Sequence, residues 1–208
     1  DMVHFHSVGF QLIYCYKGWV DLVYEDQGPP FRLHAGNCVI QPPEIRHRVL
    51  FASDNIEVIE IGVPAEHITT IDHDMDLPTA ELKPEREFSG QKFVHCQAHD
   101  AEWQPYRLPG FLGRDTSISH NTQAVADAQL VKLGDGAPVW VTHNSDIHFT
   151  FVLEGSLILE GADQPAQHLV AGDAFVIPPG MKFCYQSPSQ DISLLEVSLP
   201  GDFEIETV

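Results

Sequence analysis

The first groups in this sequence able to do chemistry are His4 and His6, which flank Phe5 and run directly into the strand-like segment QLIYCY. Side chains two apart on an extended strand share a face, so both imidazoles point the same way and can hold one metal ion. A pair of ligands does not make a site. The remaining donors, and the frame that brings them together, must come from elsewhere in the chain.

Composition narrows what that frame serves. The 208 residues carry 30 acidic against 11 basic side chains, a formal charge of −19. From Asp115 to the end, 13 acids face only Lys132 and Lys182. Such a surface repels phosphate backbones and anionic lipid, which argues against nucleic acid and membrane as partners. No apolar run approaches the ~20 residues of a helical membrane span. Cys15, Cys38, Cys96 and Cys184 are scattered without a CxxC pair, and a chain of this length buries its own core without disulfides. They are expected to be free thiols in a reducing, cytoplasmic setting. No leader segment is visible, although the chain begins at Asp1 rather than Met.

The chain repeats itself at an offset of about 137 residues. YKGWVDLV matches LEGSLILE, AGNCVIQPPEIRH matches AGDAFVIPPGMKF, and EVIEIGVPAE matches SLLEVSLPGD, in the same order in both halves. Each copy alternates short β-branched and aromatic runs with Gly, Pro and Asp turns about every ten residues, the pattern of an antiparallel barrel or sandwich. The expected fold is all-β. The expected division is a first barrel over residues 1–66, a connector with opening strands over 67–126, and a second barrel over 127–208.

In the first copy the order is His4-Phe5-His6, four residues, Gln11, six residues, Gly18; then Gly36, five residues, Pro42-Pro43-Glu44, two residues, His47. These intervals resemble the two motifs of the cupin superfamily, and the resemblance extends over both copies. The chain therefore looks like a bicupin, two tandem double-stranded β-helix (jelly-roll) barrels. Gln11 stands where the family pattern has a glutamate, and Glu44 where it has a glycine. The resemblance implies one divalent metal ion (Fe, Zn, Ni, Mn or Cu) held by His4, His6, Gln11 and His47, with one or two positions open to water or substrate. A neutral amide at Gln11 leaves such a site one charge more positive than a carboxylate would, which strengthens its Lewis acidity.

The second copy puts Val141 at the first histidine, His143 at the second, His148 at the acid and Phe183 at the last histidine. A second site at His143 and His148 needs further donors; a structural barrel or an apolar pocket is the simpler expectation. Alternation in the first copy nominates pocket walls: Ile13 and Cys15 counted from Gln11, Val49 and Phe51 from His47, Cys38 and Ile40 from Gly36. Glu44, on the turn near the barrel mouth, is the candidate acid or base. Parity places Arg46 and Arg48 outside.

QLIYCY and FTFVLEG are apolar on both faces, so Leu12, Tyr14 and Tyr16, and Phe149, Phe151 and Leu153, need covering by the other copy or by a second chain in a homodimer. Three functions suit this outline. The first is a metal-dependent enzyme acting on a small organic molecule, as a dioxygenase or as a Lewis-acid isomerase or cyclase. The second is a non-catalytic small-molecule or metal sensor, and the third a storage-like structural protein. The full ligand set of the first copy favours the enzyme.

Overall fold

The computed structural model describes residues 2–100 and 102–208. Apart from one helical turn, α1 (Ile118–Asn121), its regular structure is all strand. The chain divides into two compact units, Asp1–Asp100 with Asn121–Gln123, and Ala101–His120 with Ala124–Val208.

The first unit holds β1 (His4–His6), β2 (Phe10–Lys17), β3 (Trp19–Tyr24), β4 (Phe31–His34), β5 (Cys38–Ile40), β6 (His47–Ala52), β7 (Glu57–Val63), β8 (Thr69–Ile71), β9 (Glu87–Phe88), β10 (Gln91–Lys92) and β11 (Val94–Cys96). They form two antiparallel sheets, in the orders β4-β3-β6-β1-β8 and β11-β5-β2-β7, with β9 and β10 as a separate hairpin. The second unit holds β12 (Trp103–Pro105), β13 (Phe111–Asp115), β14 (Asp127–Leu133), β15 (Val141–His143), β16 (Ile147–Glu154), β17 (Ser156–Gly161), β18 (Gln167–Val170), β19 (Ala174–Val176), β20 (Phe183–Gln186), β21 (Ser193–Leu199) and β22 (Ile205–Thr207). Its sheets run β18-β17-β20-β15-β22 and β12-β13-β14-β21-β16-β19.

The sequence repeat is a repeat of topology. The first sheet of each unit has the same five-strand order, and β5-β2-β7 corresponds to β19-β16-β21. The turn glycine between β2 and β3 shows why the repeat keeps this residue: Gly18 has φ +70° and Gly155 has φ +73°, a left-handed conformation that favours glycine. A Cβ at either would also collide with the hydroxyl of Ser53 or Ser189. Each of those hydroxyls accepts from the next strand's first N–H, Trp19 N at 3.0 Å and Ser156 N at 2.9 Å.

Alternation fills each interior. In the first unit, Cys15, Val20, Leu22, Tyr24, Leu33, Val39, Ile45 and Phe88 form the core. Each large apolar side chain among them contributes roughly 1.5–3 kcal/mol by leaving water. The second unit is filled by Phe111, Val131, Val141, Val152, Leu157, Ile177, Phe183, Tyr185 and their neighbours. Leu12 is fully buried and Tyr14 is buried within the single chain, whereas Tyr16, Phe149 and Phe151 are half-buried. The two units differ at one flank: β21 is followed outward by β14, β13 and β12, while β7 is the last strand of its sheet among the described residues.

Candidate metal centre

Antiparallel register builds the centre of the first unit. β1 and β6 pair with His4 directly opposite His47, and the two-residue period of β1 puts His6 on the same face as His4. One ligand nitrogen from each of the three imidazoles lies within 4.8 Å of the other two. The ring centroids are 4.3 Å apart for His4 and His47, and 5.1 Å for His6 with either.

Hydrogen bonds set how the rings face. His4 Nδ1–H donates to the Met2 carbonyl at 2.9 Å, and His47 Nδ1–H to the Ile45 carbonyl at 3.0 Å. His6 Nδ1 bonds the Thr69 hydroxyl at 2.9 Å, from β8 beside it. A proton fixed on Nδ1 makes Nε2 the accepting atom of both the His4 and the His47 ring, the outer-partner arrangement that metal-ligating histidines use. Burial pushes His47 down to about 3, reinforced by His4 and His6 and opposed by the bond to Ile45. Burial, then His4 and His67, also lowers His6, against a smaller opposing pull from Glu60. Both rings are thereby held in the neutral form that binds metal.

Gln11 lines the same cavity as the three imidazoles. It is 1% exposed, and its Nε2 donates to Glu60 Oε1 at 2.7 Å. Its own Oε1 is buried and accepts no hydrogen bond. An acceptor left so costs about 1–3 kcal/mol, which a cation would recover. The three imidazoles and Gln11 share the wall of one cavity of about 420 Å³, a size suited to a small organic ligand. Its other walls are Ile13, Val20, Leu22, Val49, Ile56 and Val58, with Tyr24, Gln41 and Glu60 as polar points. The Tyr24 hydroxyl accepts from Gln41 Nε2 at 2.8 Å.

Of the six wall residues expected from alternation, Ile13 and Val49 line this cavity and four do not. Phe51 is 71% exposed. Leu50 is an extra residue in the β3–β6 pairing, because Asp21 faces Phe51 while Leu22 faces Val49. This bulge reverses the alternation beyond it, so Ala52 rather than Phe51 turns inward. Cys38 and Ile40 lie opposite Tyr14 and Leu12, whereas Val39 lies opposite Ile13. They therefore occupy the other face of the sheet, since counting from Gly36 carried the phase through a turn where φ is +87°. Cys15 keeps its inward face but packs in the core with Val20 and Leu22 instead of reaching the cavity.

Glu44 is exposed on its turn and does not line the cavity. It adopts φ +63°, the conformation expected where the motif has glycine, and its backbone N–H donates to the His6 carbonyl at 3.0 Å. Gly180 makes the equivalent bond to His143. Arg46 also stays outside, paired with Asp72 at 3.2 Å and stacked over Phe5.

Among the groups that escaped the sequence reading are Glu60, which lines the cavity, and His67, which stands beside His6 without lining it. Glu60 had a signal, because EVIE and SLLE put an acid at the same repeat position. His67, whose ring lies 5.2 Å from His6, had none, because it sits on a loop outside the repeated blocks.

In the second unit the same register gives a filled barrel. Val141 pairs with Phe183 as His4 pairs with His47, and both are fully buried. His143 and His148 do come together, at 4.8 Å between centroids, but both are already engaged. His143 Nε2–H donates to the Ile177 carbonyl at 3.0 Å while its Nδ1 accepts from Ser145 N. His148 Nε2 meets Glu196 at 3.3 Å, while its buried Nδ1 has no partner. Glu196 also accepts from the Tyr106 hydroxyl at 2.7 Å and the Tyr185 hydroxyl at 3.1 Å. Burial opposes ionisation of Glu196, yet the bonds from His148 and the two tyrosines outweigh it and hold the carboxyl below its usual range. Among the described residues, only the trio of the first unit groups as a metal centre. A wider groove of about 820 Å³ over Tyr106, Phe111, Lys132 and Gln190 carries Asp135 as its one carboxylate.

Comparison with known proteins agrees with this architecture. The cupin domain family model matches residues 129–198, inside the unit whose centre is filled. Among curated proteins none matches the sequence. Among solved structures, the salicylate 1,2-dioxygenase of Pseudaminobacter salicylatoxidans is similar over 100% of this chain and 71% of its own, with TM-score 0.72 and 14% identity. A variant of that enzyme has been solved in complex with gentisate. Oxalate decarboxylase is similar over 100% of this chain and 67% of its own, with TM-score 0.67 and 12% identity. The 7S globulin of Momordica charantia is similar over 99% and 71%, with TM-score 0.65 and 12% identity. At such identities the likeness shows the fold, an all-β chain of tandem cupin jelly-roll barrels.

Proposed function

We propose that this protein is a metal-dependent bicupin enzyme that acts on a small organic molecule in the first unit, with dioxygenase chemistry favoured over Lewis-acid isomerisation or cyclisation. One observation carries the reading. Three imidazoles with pinned Nδ1 atoms and one buried, unpartnered amide oxygen border a single apolar cavity. His4, His6, His47 and Gln11 would hold one divalent ion, and the donor set of three nitrogens and one neutral oxygen suits Fe, Zn, Ni, Mn or Cu. Such an ion supplies Lewis acidity and, where redox-active, access to dioxygen.

The protein's own residues do the rest. Ile13, Val20, Leu22 and Val49 seat an apolar substrate body and exclude water from one side of it. Glu60 is the carboxylate among the lining residues and the acceptor available to a substrate hydroxyl proton. The structural likeness to a dioxygenase solved with gentisate supports aromatic hydroxy compounds as first substrates to try. A cytoplasmic setting and a homodimer belong to the same proposal; the four cysteines are free thiols, and a monomer by light scattering would remove the dimer.

The test is elemental analysis of protein purified without added metal or a chelating tag, beside its His47→Ala variant. About one equivalent of a divalent transition metal, lost in the variant, is expected; metal retained in the variant overturns the assignment. Iron directs the next step to oxygen consumption with hydroxylated aromatics, and zinc to Lewis-acid reactions.

A further inference from the structure

Glu60 has a role that the ligand set alone does not supply. We propose that it is a positioning residue, which fixes the Gln11 amide so that Oε1 is presented to the three imidazoles as the fourth donor. The inference rests on the metal reading above and adds to it a named cause for the ligand geometry.

A primary amide has one donating end and one accepting end, and the two are nearly the same shape. Nothing in a glutamine's packing decides which end faces a metal. A carboxylate does decide it, because an ionised carboxylate only accepts. The Gln11 group 2.7 Å from Glu60 Oε1 must therefore be the NH₂, which leaves Oε1 on the remaining side, buried and without a partner. Register makes the contact possible. Gln11 pairs with Gly62 and Ile13 with Glu60 across β2 and β7, so Glu60 lies diagonally beside Gln11, within reach of a long side chain.

The same pair explains why position 11 is an amide. A glutamate there would set two carboxylates at hydrogen-bond distance, where one must stay protonated. The acid of this centre has in effect moved one layer outward, from position 11 to position 60. The second unit uses the same two positions for His148 and Glu196, 3.3 Å apart, so the inward acid of β7 and β21 is a shared device that orients whatever occupies the neighbouring site on β2 or β16.

The experiment is cobalt(II) titration of the full chain, read by d–d absorption and by competition with a chromophoric chelator. It compares wild type, Gln11→Ala, Glu60→Leu, the double variant and His47→Ala. Loss of an outer partner of a metal ligand weakens binding about 10- to 100-fold, and Glu60→Leu is expected in that range with an altered spectrum. Because Glu60 acts through Gln11, the double variant should bind no more weakly than Gln11→Ala alone. Glu60→Leu matching wild type in affinity and spectrum overturns the proposal, as do additive losses in the double variant. Cobalt binding unchanged in His47→Ala, or absent from wild type, instead overturns the metal reading beneath it.

Discussion

Glu60 and Glu196 occupy the same place in two copies of one fold, yet one is exposed and the other 2% exposed. The strands beyond them make the difference. β21 is flanked by β14 and β13, and Tyr106, just ahead of β13, reaches Glu196 with its hydroxyl. β7 has no such neighbour among the described residues, so Glu60 meets solvent and the cavity. The second barrel ties its polar groups to one another, His143 to backbone, His148 Nε2 to Glu196 and Glu196 to two tyrosines, although the buried His148 Nδ1 has no partner. The first leaves Gln11 Oε1 unanswered and keeps open space beside three imidazoles. Each centre holds one unpartnered buried atom; the difference is that the first groups three imidazoles beside a cavity, whereas Val141 and Phe183 fill the equivalent space in the second.

The sharpest way to break this comparison is to remove both acids. Glu196→Leu strands His148 and the hydroxyls of Tyr106 and Tyr185 in a dry interior. Urea unfolding should show a loss of about 3–5 kcal/mol, because three buried polar groups lose their shared acceptor. Glu60→Leu strands only the Gln11 Nε2 and should cost less, about 1–3 kcal/mol. Equal losses would mean that the two centres are built alike.

A smaller effect separates the centres by pH. His47 is held near 3, whereas unfolded histidine titrates near 6.5. Between those values the unfolded chain binds the extra proton, so metal-free protein loses stability as pH falls through that window, by at most about 1.4 kcal/mol per pH unit from this group. His47→Phe, which copies Phe183 of the second unit, should flatten that part of the profile. An unchanged slope would show that carboxylates alone set it.

The smallest effect tests the bulge. With Phe51 exposed, Phe51→Ser should shift thermal stability by no more than about 0.5 kcal/mol. A cavity-wall phenylalanine would instead lose several kcal/mol.

Much of this molecule is legible in the chain itself. Internal repetition, two-residue alternation and turn glycines specify an all-β tandem fold, because those patterns act through neighbours a few residues apart. The pairing of His4 with His6 is equally local, a consequence of the pleat. The amino-acid order also carries His47 at the repeat position that the second copy fills with Phe183. What it does not carry is the phase of each strand after an irregularity. One extra residue at Leu50 turned Phe51 outward, and one turn at Gly36 put Val39 inside in place of Cys38 and Ile40, because alternation holds only along an unbroken ladder. Nor does the order say that Glu60 would meet Gln11, 49 residues away, and leave its oxygen unpartnered. That contact depends on the register between β2 and β7, which only the assembled sheet decides.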